Sequence, residues 1–376
     1  MSLHCSYFAA GRCRSCALIE TPYAAQLAAK DAALRQRFAG YPALIWDDPF
    51  PSAARGFRNK AKLVVGGTQD APTLGIMDEH GAGVDLSDCL LYPPALSACF
   101  APLRAFIGHA RLPPYDIQSR RGELKYLLLT LAEASGELML RFVLRSREAL
   151  PRISKHLPAL QTALPQLRVV SANLQPVPQA VIEGEVEIPL TDEQWLPLPI
   201  NDRLLFLKPR SFFQTNTAVA AALYRQARAW VDDIDPRSIW DLFCGVGGFA
   251  LHVTDGRREV LGIELSAEAI AAAERGAAAM GLPGLRFIAQ EADAVLDRSA
   301  TAELVIVNPP RRGIGARLAR YLDASDARWV LYSSCNPDSL ARDLAQMPGF
   351  VPRRARLFDM FAHTSHSELM MLLHRR

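Results

Sequence analysis

The chain has 376 residues, half of them apolar and 22% charged, with a net charge of +3. This suits a globular protein of two or three domains and excludes a uniformly basic nucleic-acid coat, so any basic patch must be local. No apolar run approaches the ~18 residues of a membrane span and no secretory leader is evident, which points to no membrane association and a cytoplasmic location.

The first stretch, "CSYFAAGRCRSC", holds Cys5, Cys13 and Cys16. Cys89 follows in "LSDCLLYPP", while Cys99, Cys244 and Cys335 stand apart. Seven cysteines in a large chain without a leader argue against a disulfide framework. Four thiolates suit either a tetrahedral zinc or an iron–sulfur cluster, although a zinc ribbon normally shows two Cys-x-x-Cys pairs and this chain has one.

Residues 21–40 form an Ala-rich amphipathic helix ending at Gly40. "ARGFRNKAK" follows, setting Arg55, Arg58, Lys60 and Lys62 around Phe57. Charges for phosphate beside an aromatic for stacking make a single-strand RNA platform. "ELKYLLLTLAEASGELMLRFVLRS" reads as a hairpin, and "LRVVSANLQP" and "RLLFLKP" as further strands. Residues 1–208 are therefore expected to be an α+β domain with an antiparallel sheet.

From residue 209 the rhythm changes. A long helix in "TNTAVAAALYRQARAWVDD" precedes seven strand candidates that mostly alternate with helices. This predicts a doubly wound, mostly parallel seven-stranded sheet over 209–376. The last strand follows the sixth too closely for a crossover helix and should return antiparallel.

The first turn of that sheet, "DLFCGVGGFA", carries Gly245, Gly247 and Gly248, which let the backbone approach a ligand at the next helix. Glu264 ends the second strand, where a carboxylate can hold both hydroxyls of a ribose. The glycines alone leave a dinucleotide and S-adenosylmethionine both open. The fourth strand ends "VNPPRRG", a feature of methyltransferases that act on planar nitrogenous bases. Asn308 there can lie beside the methyl group, with prolines fixing the loop and Arg311 and Arg312 suiting a phosphate-bearing substrate.

"DLFCGVGGFAL", "VNPPRRGIG", "SSCNP" and "LFDMFAHTSHSE", with "SFFQTN" and "FRNKAK" upstream, resemble the RNA uracil-C5 methyltransferases. The resemblance runs almost end to end. It implies a Rossmann-like class I S-adenosylmethionine-dependent methyltransferase domain behind an α+β iron–sulfur and RNA-binding domain, without the small β-barrel TRAM domain that long relatives carry. It makes Cys5, Cys13, Cys16 and Cys89 ligands of a [4Fe-4S] cluster, and Gln214, Phe243, Gly245, Glu264 and Asn308 cofactor contacts. Asp293 is added for the adenine end, Cys335 becomes the nucleophile, Glu368 the base, and 23S ribosomal RNA the partner of a monomeric enzyme. An NAD-dependent oxidoreductase with an iron–sulfur domain is the alternative, but it leaves "NPPRRG" and "SSCNP" unexplained.

The chemistry explains the residue types. C5 of uracil is too poor a nucleophile to take a methyl group unaided. A thiolate adding to C6 makes an enolate whose C5 is nucleophilic, after which a base must remove the C5 proton before the thiolate leaves. A free thiol, with pKa about 8.5, is mostly protonated at neutral pH. The site is thus expected to lower the pKa of Cys335, with the helix starting near Asn336 as one means. For the base, Glu368 competes with His363 and His366, whose ordinary pKa lies nearer neutrality.

Overall fold

The computed structural model describes residues 3–78, 81–177, 181–297 and 300–376. In chain order, a short helix α1 (Ser6–Ala9) precedes α2 (Tyr23–Arg37) and the two-residue strand β1 (Ile45–Trp46). Then come β2 (Lys60–Gly67), β3 (Pro72–Met77), β4 (Gly83–Asp85), α3 (Pro94–Ser97), α4 (Phe100–His109), β5 (Leu124–Ala132), β6 (Glu137–Leu144), α5 (Leu150–Ala163), β7 (Leu167–Leu174) and β8 (Val186–Pro189). Strands β9 (Leu196–Ile200) and β10 (Arg203–Leu207) lead to α6 (Thr217–Ile234), β11 (Ser238–Leu242), α7 (Gly248–Val253), β12 (Glu259–Glu264), α8 (Ala267–Ala279) and β13 (Leu285–Ala289). After a 3-10 turn over Ala292–Asp297 follow β14 (Leu304–Val307), α9 (Gly315–Ala324), β15 (Trp329–Ser334), α10 (Pro337–Leu344), β16 (Phe350–Phe358) and β17 (Glu368–Arg375).

Two compact units result. One joins His4–Cys16 to Ala54–Leu198, and the other joins Ala17–Ala53 to Pro199–Arg376. The first contains a seven-stranded sheet in the order β4-β3-β2-β5-β6-β7-β8. The hairpin β5–β6 turns at Gly136, where φ is 76°. The sheet is mixed rather than purely antiparallel, because β6 and β7 run parallel and are joined through helix α5. Leu103, Leu127, Phe142 and Ile153 are buried in its core.

The second unit holds an eight-stranded mixed sheet, β1-β16-β17-β15-β14-β11-β12-β13. Strands β11, β12, β13, β14 and β15 are mutually parallel, and β17 runs antiparallel between β15 and β16. The central strands are near-continuous apolar runs buried on both faces, as helices on either side of a parallel sheet require. The eighth strand, β1, adds parallel to the edge of β16.

The boundary expected at residue 208 falls differently because the second unit claims α2 and β1. Leu34, Phe38 and Leu44 share one core with Leu344, Phe350 and Leu357. Buried Lys30 pairs with Asp359 at 2.6 Å, and Tyr23 donates to the same carboxylate at 2.7 Å. "RLLFLKP" also belongs here: β10 pairs with β9, apart from the larger sheets. Among the described residues, no helix is long and apolar enough to cross a membrane.

Candidate active site

The catalytic residues expected from "SSCNP" and "HSE" meet through strand register. In the β15–β17 ladder Ser333 faces Met370 and Ser334 faces Leu369. The ladder ends there, and Cys335 and Glu368 are the next residues at the same end of the two strands, close enough for the Glu368 charge to act on the thiol. Glu368 shares the face of Met370 and Ser333, since alternate residues of a strand share a face. Glu368 is 1% exposed, and Ser333, fully buried, donates its hydroxyl to Glu368 Oε1. Burial raises the Glu368 carboxyl to about 7, and the Ser333 hydrogen bond opposes that rise.

Cys335 is half-buried. Its pKa is raised, first by burial and then by Glu368, while Arg311 works the other way. The expected lowering of this thiol is therefore corrected. Asn336 does cap α10, accepting from the Asp338 amide at 3.2 Å, but the helix end does not overcome burial beside a carboxylate.

Arg311 is brought to the thiol by a set of local bonds. Asn336 Nδ2 donates to the Arg311 carbonyl at 2.9 Å. Asp343 accepts from the Ile314 amide at 2.8 Å and from the Tyr332 hydroxyl at 2.7 Å, tying the "NPPRRG" loop to β15. Gly313 sits at φ 87°, and a Cβ there would stand 2.3 Å from Asp343 Oδ2, so the loop needs glycine at that point. Arg311 Nη2 also reaches His366 Nδ1 at 3.0 Å, and His366 is shifted down by burial and by Arg311. A ring nitrogen that accepts from a guanidinium resists protonation, which weakens His366 as the base. His363, at φ 64° and 1% exposed, is held by Gln26 through its amide at 3.0 Å and its Nδ1 at 3.2 Å. Its ring is thus engaged in bracing the loop before β17.

The cofactor candidates cluster at the carboxyl ends of β11, β12 and β14. Phe243, at φ 62°, adopts a conformation rare for a non-glycine residue. Gly245 donates its amide to Glu264 Oε2 at 3.3 Å, and Glu264 Oε1 accepts from Ser266 at 2.9 Å. Gly245 has φ 54° and no heavy atom within 4 Å of where a Cβ would stand, leaving its outer side open to a ligand. Asp241, fully buried, accepts from the Ala250 amide at 2.9 Å, and among the described residues its Oδ1 has no hydrogen-bond partner. Burial pushes its carboxyl up to about 7. Asn308 is half-buried just beyond β14, and its amide lies 3.5 Å from the Leu242 carbonyl. Gln214 is buried before α6. Asp293 lies in the 3-10 turn, 3.6 Å from Arg317 in an exposed ion pair. Sequence reading had no signal for Asp241, whose position inside an apolar strand looks like packing, or for Ser333.

In the other unit, Cys5, Cys13, Cys16 and Cys89 are all half-buried. Tyr7 ties their segments together, its hydroxyl accepting from the Asp88 amide at 3.2 Å. Cys16 is pushed up to about 12 by burial and then by Cys89, Cys13 and Cys5; Cys89 is also raised, first by burial, with Cys13 and Cys5 adding to it. The four thiols thus lie within each other's electrostatic reach. Among the described residues, however, no group of three or more His, Cys, Asp or Glu side chains is arranged to hold a metal ion, so the expected cluster has no coordination geometry here.

The RNA platform also changes. Phe57 is buried and offers no face for stacking. Arg58 donates to the Lys60 carbonyl at 3.1 Å and opposes the rise of the Cys16 and Cys89 thiols, so it belongs with the cysteines. Lys60 is half-buried and pulled down to about 8 by burial and by Lys62. Arg55 and Lys62 remain the exposed charges of the patch.

The chain is similar to known proteins over its full length. A family model described as tRNA (Uracil-5-)-methyltransferase matches residues 191–376. Over 99% of its length the chain is 49% identical to the 23S rRNA (uracil(747)-C(5))-methyltransferase RlmC of Halothiobacillus neapolitanus, all of which is covered. RlmC of Yersinia pseudotuberculosis is also 49% identical, with 99% of each chain covered. Among solved structures, the Pyrococcus abyssi tRNA (uracil-54, C5)-methyltransferase in complex with S-adenosyl-L-homocysteine shares the fold, with TM-score 0.80 at 24% identity, covering 96% of this chain and 85% of that one. These relatives are methyltransferases, so the oxidoreductase alternative finds no support. On full-length identity, the chain belongs to the RNA uracil-C5 methyltransferase family.

Proposed function

We propose that the protein methylates C5 of uracil 747 in 23S ribosomal RNA, with S-adenosylmethionine as methyl donor. The observation that carries this reading is the β15–β17 register, which brings Cys335 and buried Glu368 together at one end of the two strands, in a chain 49% identical end to end to RlmC. The donor supplies an electrophilic methyl group. Glu264 and the open side of Gly245 suit its ribose and amino-acid ends, Asp241 offers an unmatched buried oxygen, and Phe243, Gln214, Asn308 and Asp293 complete the contacts.

Cys335 attacks C6 as thiolate. Its raised pKa means the thiol first gives its proton to solvent, which its half-buried position leaves open, and Arg311 is the charge that favours the thiolate. C5 then takes the methyl group. Glu368, divided between its two forms near neutrality, removes the C5 proton, and elimination frees Cys335. A target uridine has to leave its stack to meet the thiol, so an unpaired or flipped nucleotide is expected. An enzyme of this kind works on ribosomal RNA in the cytoplasm, and we read it as a monomer.

The four cysteines fit a [4Fe-4S] cluster by donor chemistry, since thiols that repel one another's charge are relieved by a shared cation. The unit formed by His4–Cys16 and Ala54–Leu198 would then carry the cluster and the RNA contacts. The test of function is to map 5-methyluridine in 23S RNA from cells lacking this protein. Loss at position 747, restored by the purified enzyme with S-adenosylmethionine, is the expected result; an unchanged map overturns it.

A further inference from the structure

We infer that Ser333 is a positioning residue for the base: its hydroxyl holds the Glu368 carboxylate oriented and ready to accept the C5 proton. This rests on the assignment of Glu368 as base. Ser333 is the diagonal neighbour of Glu368 across the β15–β17 ladder, two residues before Cys335 and on the same face. Both Ser333 and Glu368 are buried, and the serine hydroxyl, which has one proton to give, gives it to Glu368 Oε1.

The physical need is specific. A carboxyl enclosed in apolar surroundings favours its neutral form, which cannot take a proton. A hydroxyl donating to the carboxylate restores part of the charged population and removes the side chain's freedom to turn from the substrate. Among the described residues, the ionisable groups that feel the Glu368 charge include Cys335 at the end of β15 and Tyr224 of α6, whose hydroxyl is raised by burial and by Asp241 and Glu368. Neither supplies a donor that favours the carboxylate, and His366 is turned to Arg311. Ser333 is the group that works against burial.

The test uses full-length Ser333→Ala and Ser333→Thr with a 23S RNA fragment carrying tritium at uridine C5 and methyl-labelled S-adenosylmethionine. In single turnovers Ser333→Ala should transfer the methyl group at close to the wild-type rate. It should release C5 tritium at least ~10-fold more slowly, a fraction of a general base's full effect. A methylated covalent adduct should build up on denaturing gels, and the rising limb of the pH profile should move to higher pH. Ser333→Thr, which keeps the hydroxyl, should restore release. Equal slowing of transfer and release, no slowing of release, or no rescue by threonine overturns the inference. A readout independent of turnover is the carbon-13 carboxyl titration of Glu368 in the free protein. Ser333→Ala should move it upward, and an unmoved titration rejects the role even if the wild type proves inactive on this RNA. Inactivity of the wild type counts against the proposed function instead.

Discussion

Two thiol sites in this chain begin with the same side chain and end with different chemistry, because their neighbours differ. Cys335 stands beside one carboxyl and one guanidinium, Glu368 and Arg311, which push its pKa in opposite directions. Cys16 and Cys89 stand beside several other thiols, which all push up, with Arg58 pushing the other way as Arg311 does at Cys335. In the first case a small change, such as a bound substrate or a moved proton, tips the thiol between its forms. In the second only a cation can bring several thiolates together. Burial is the largest cause of the rise at both, and the neighbours set what distinguishes them.

The largest effects are expected at Cys335 and Glu368. Cys335→Ala should abolish methylation and form no covalent RNA adduct; adduct formation by that variant rejects Cys335 as nucleophile. Glu368→Gln should cut turnover by roughly 10²–10⁴ and accumulate a methylated adduct linked through Cys335, the effect of losing a general base. Since the carboxylate is the active form, wild-type turnover should rise as pH increases through about 7, and this limb should vanish in Glu368→Gln. A fully active Glu368→Gln would shift the base to a neighbouring histidine.

Next comes the thiol group. Anaerobically purified protein should carry about four irons and four sulfides. Cys89→Ser should lose them while leaving S-adenosylmethionine affinity in place. One zinc per chain, or iron retained by the variant, would show that the two sites differ less than their surroundings suggest.

A third change strikes the frame of the catalytic site. Lys30 Nζ donates to Asp359 at 2.6 Å and to the Phe361 carbonyl at 3.1 Å, bracing the loop that leads to Glu368. Lys30→Ala leaves Asp359 buried without its cation and should cost about 3–5 kcal/mol in chemical denaturation. A cost near zero would mean the loop is held by Gln26 and Tyr23 alone. The smallest effect is expected at the patch beside the cysteines. Neutralising Arg55 and Lys62 together should weaken RNA binding and reduce the salt slope by about 1–2, with cofactor affinity unchanged. A matching fall in cofactor affinity would make the patch a folding element.

Much of the catalytic unit is readable from sequence because its signals are local. Five continuous apolar strands separated by helices define a parallel sheet, and Gly245 and Glu264 end its first two strands where a ligand crevice opens. "SSCNP" identifies Cys335 because strand, thiol and helix cap are contiguous. The failures come where a partner is distant in the chain. Helix α2 buries Gln26, Lys30 and Leu34, a stripe that looks like solvent face until Asp359 and His363 are set against it. Phe57 looks like a stacking platform among basic residues and is instead part of the interior.

The sequence by itself pointed to the kind of groups the proposed reaction needs, since a thiol for C6 and a base for the C5 proton follow from the chemistry of uracil, and it left the base open between Glu368, His363 and His366. It did not determine the state of those groups. That the Cys335 thiol is pushed up instead of down and that the Glu368 carboxyl is raised to about 7 follow only from the tertiary structure. Both depend on burial and on strands β15 and β17 pairing in one register, and a slip of a single residue would turn Glu368 to the opposite face of the sheet.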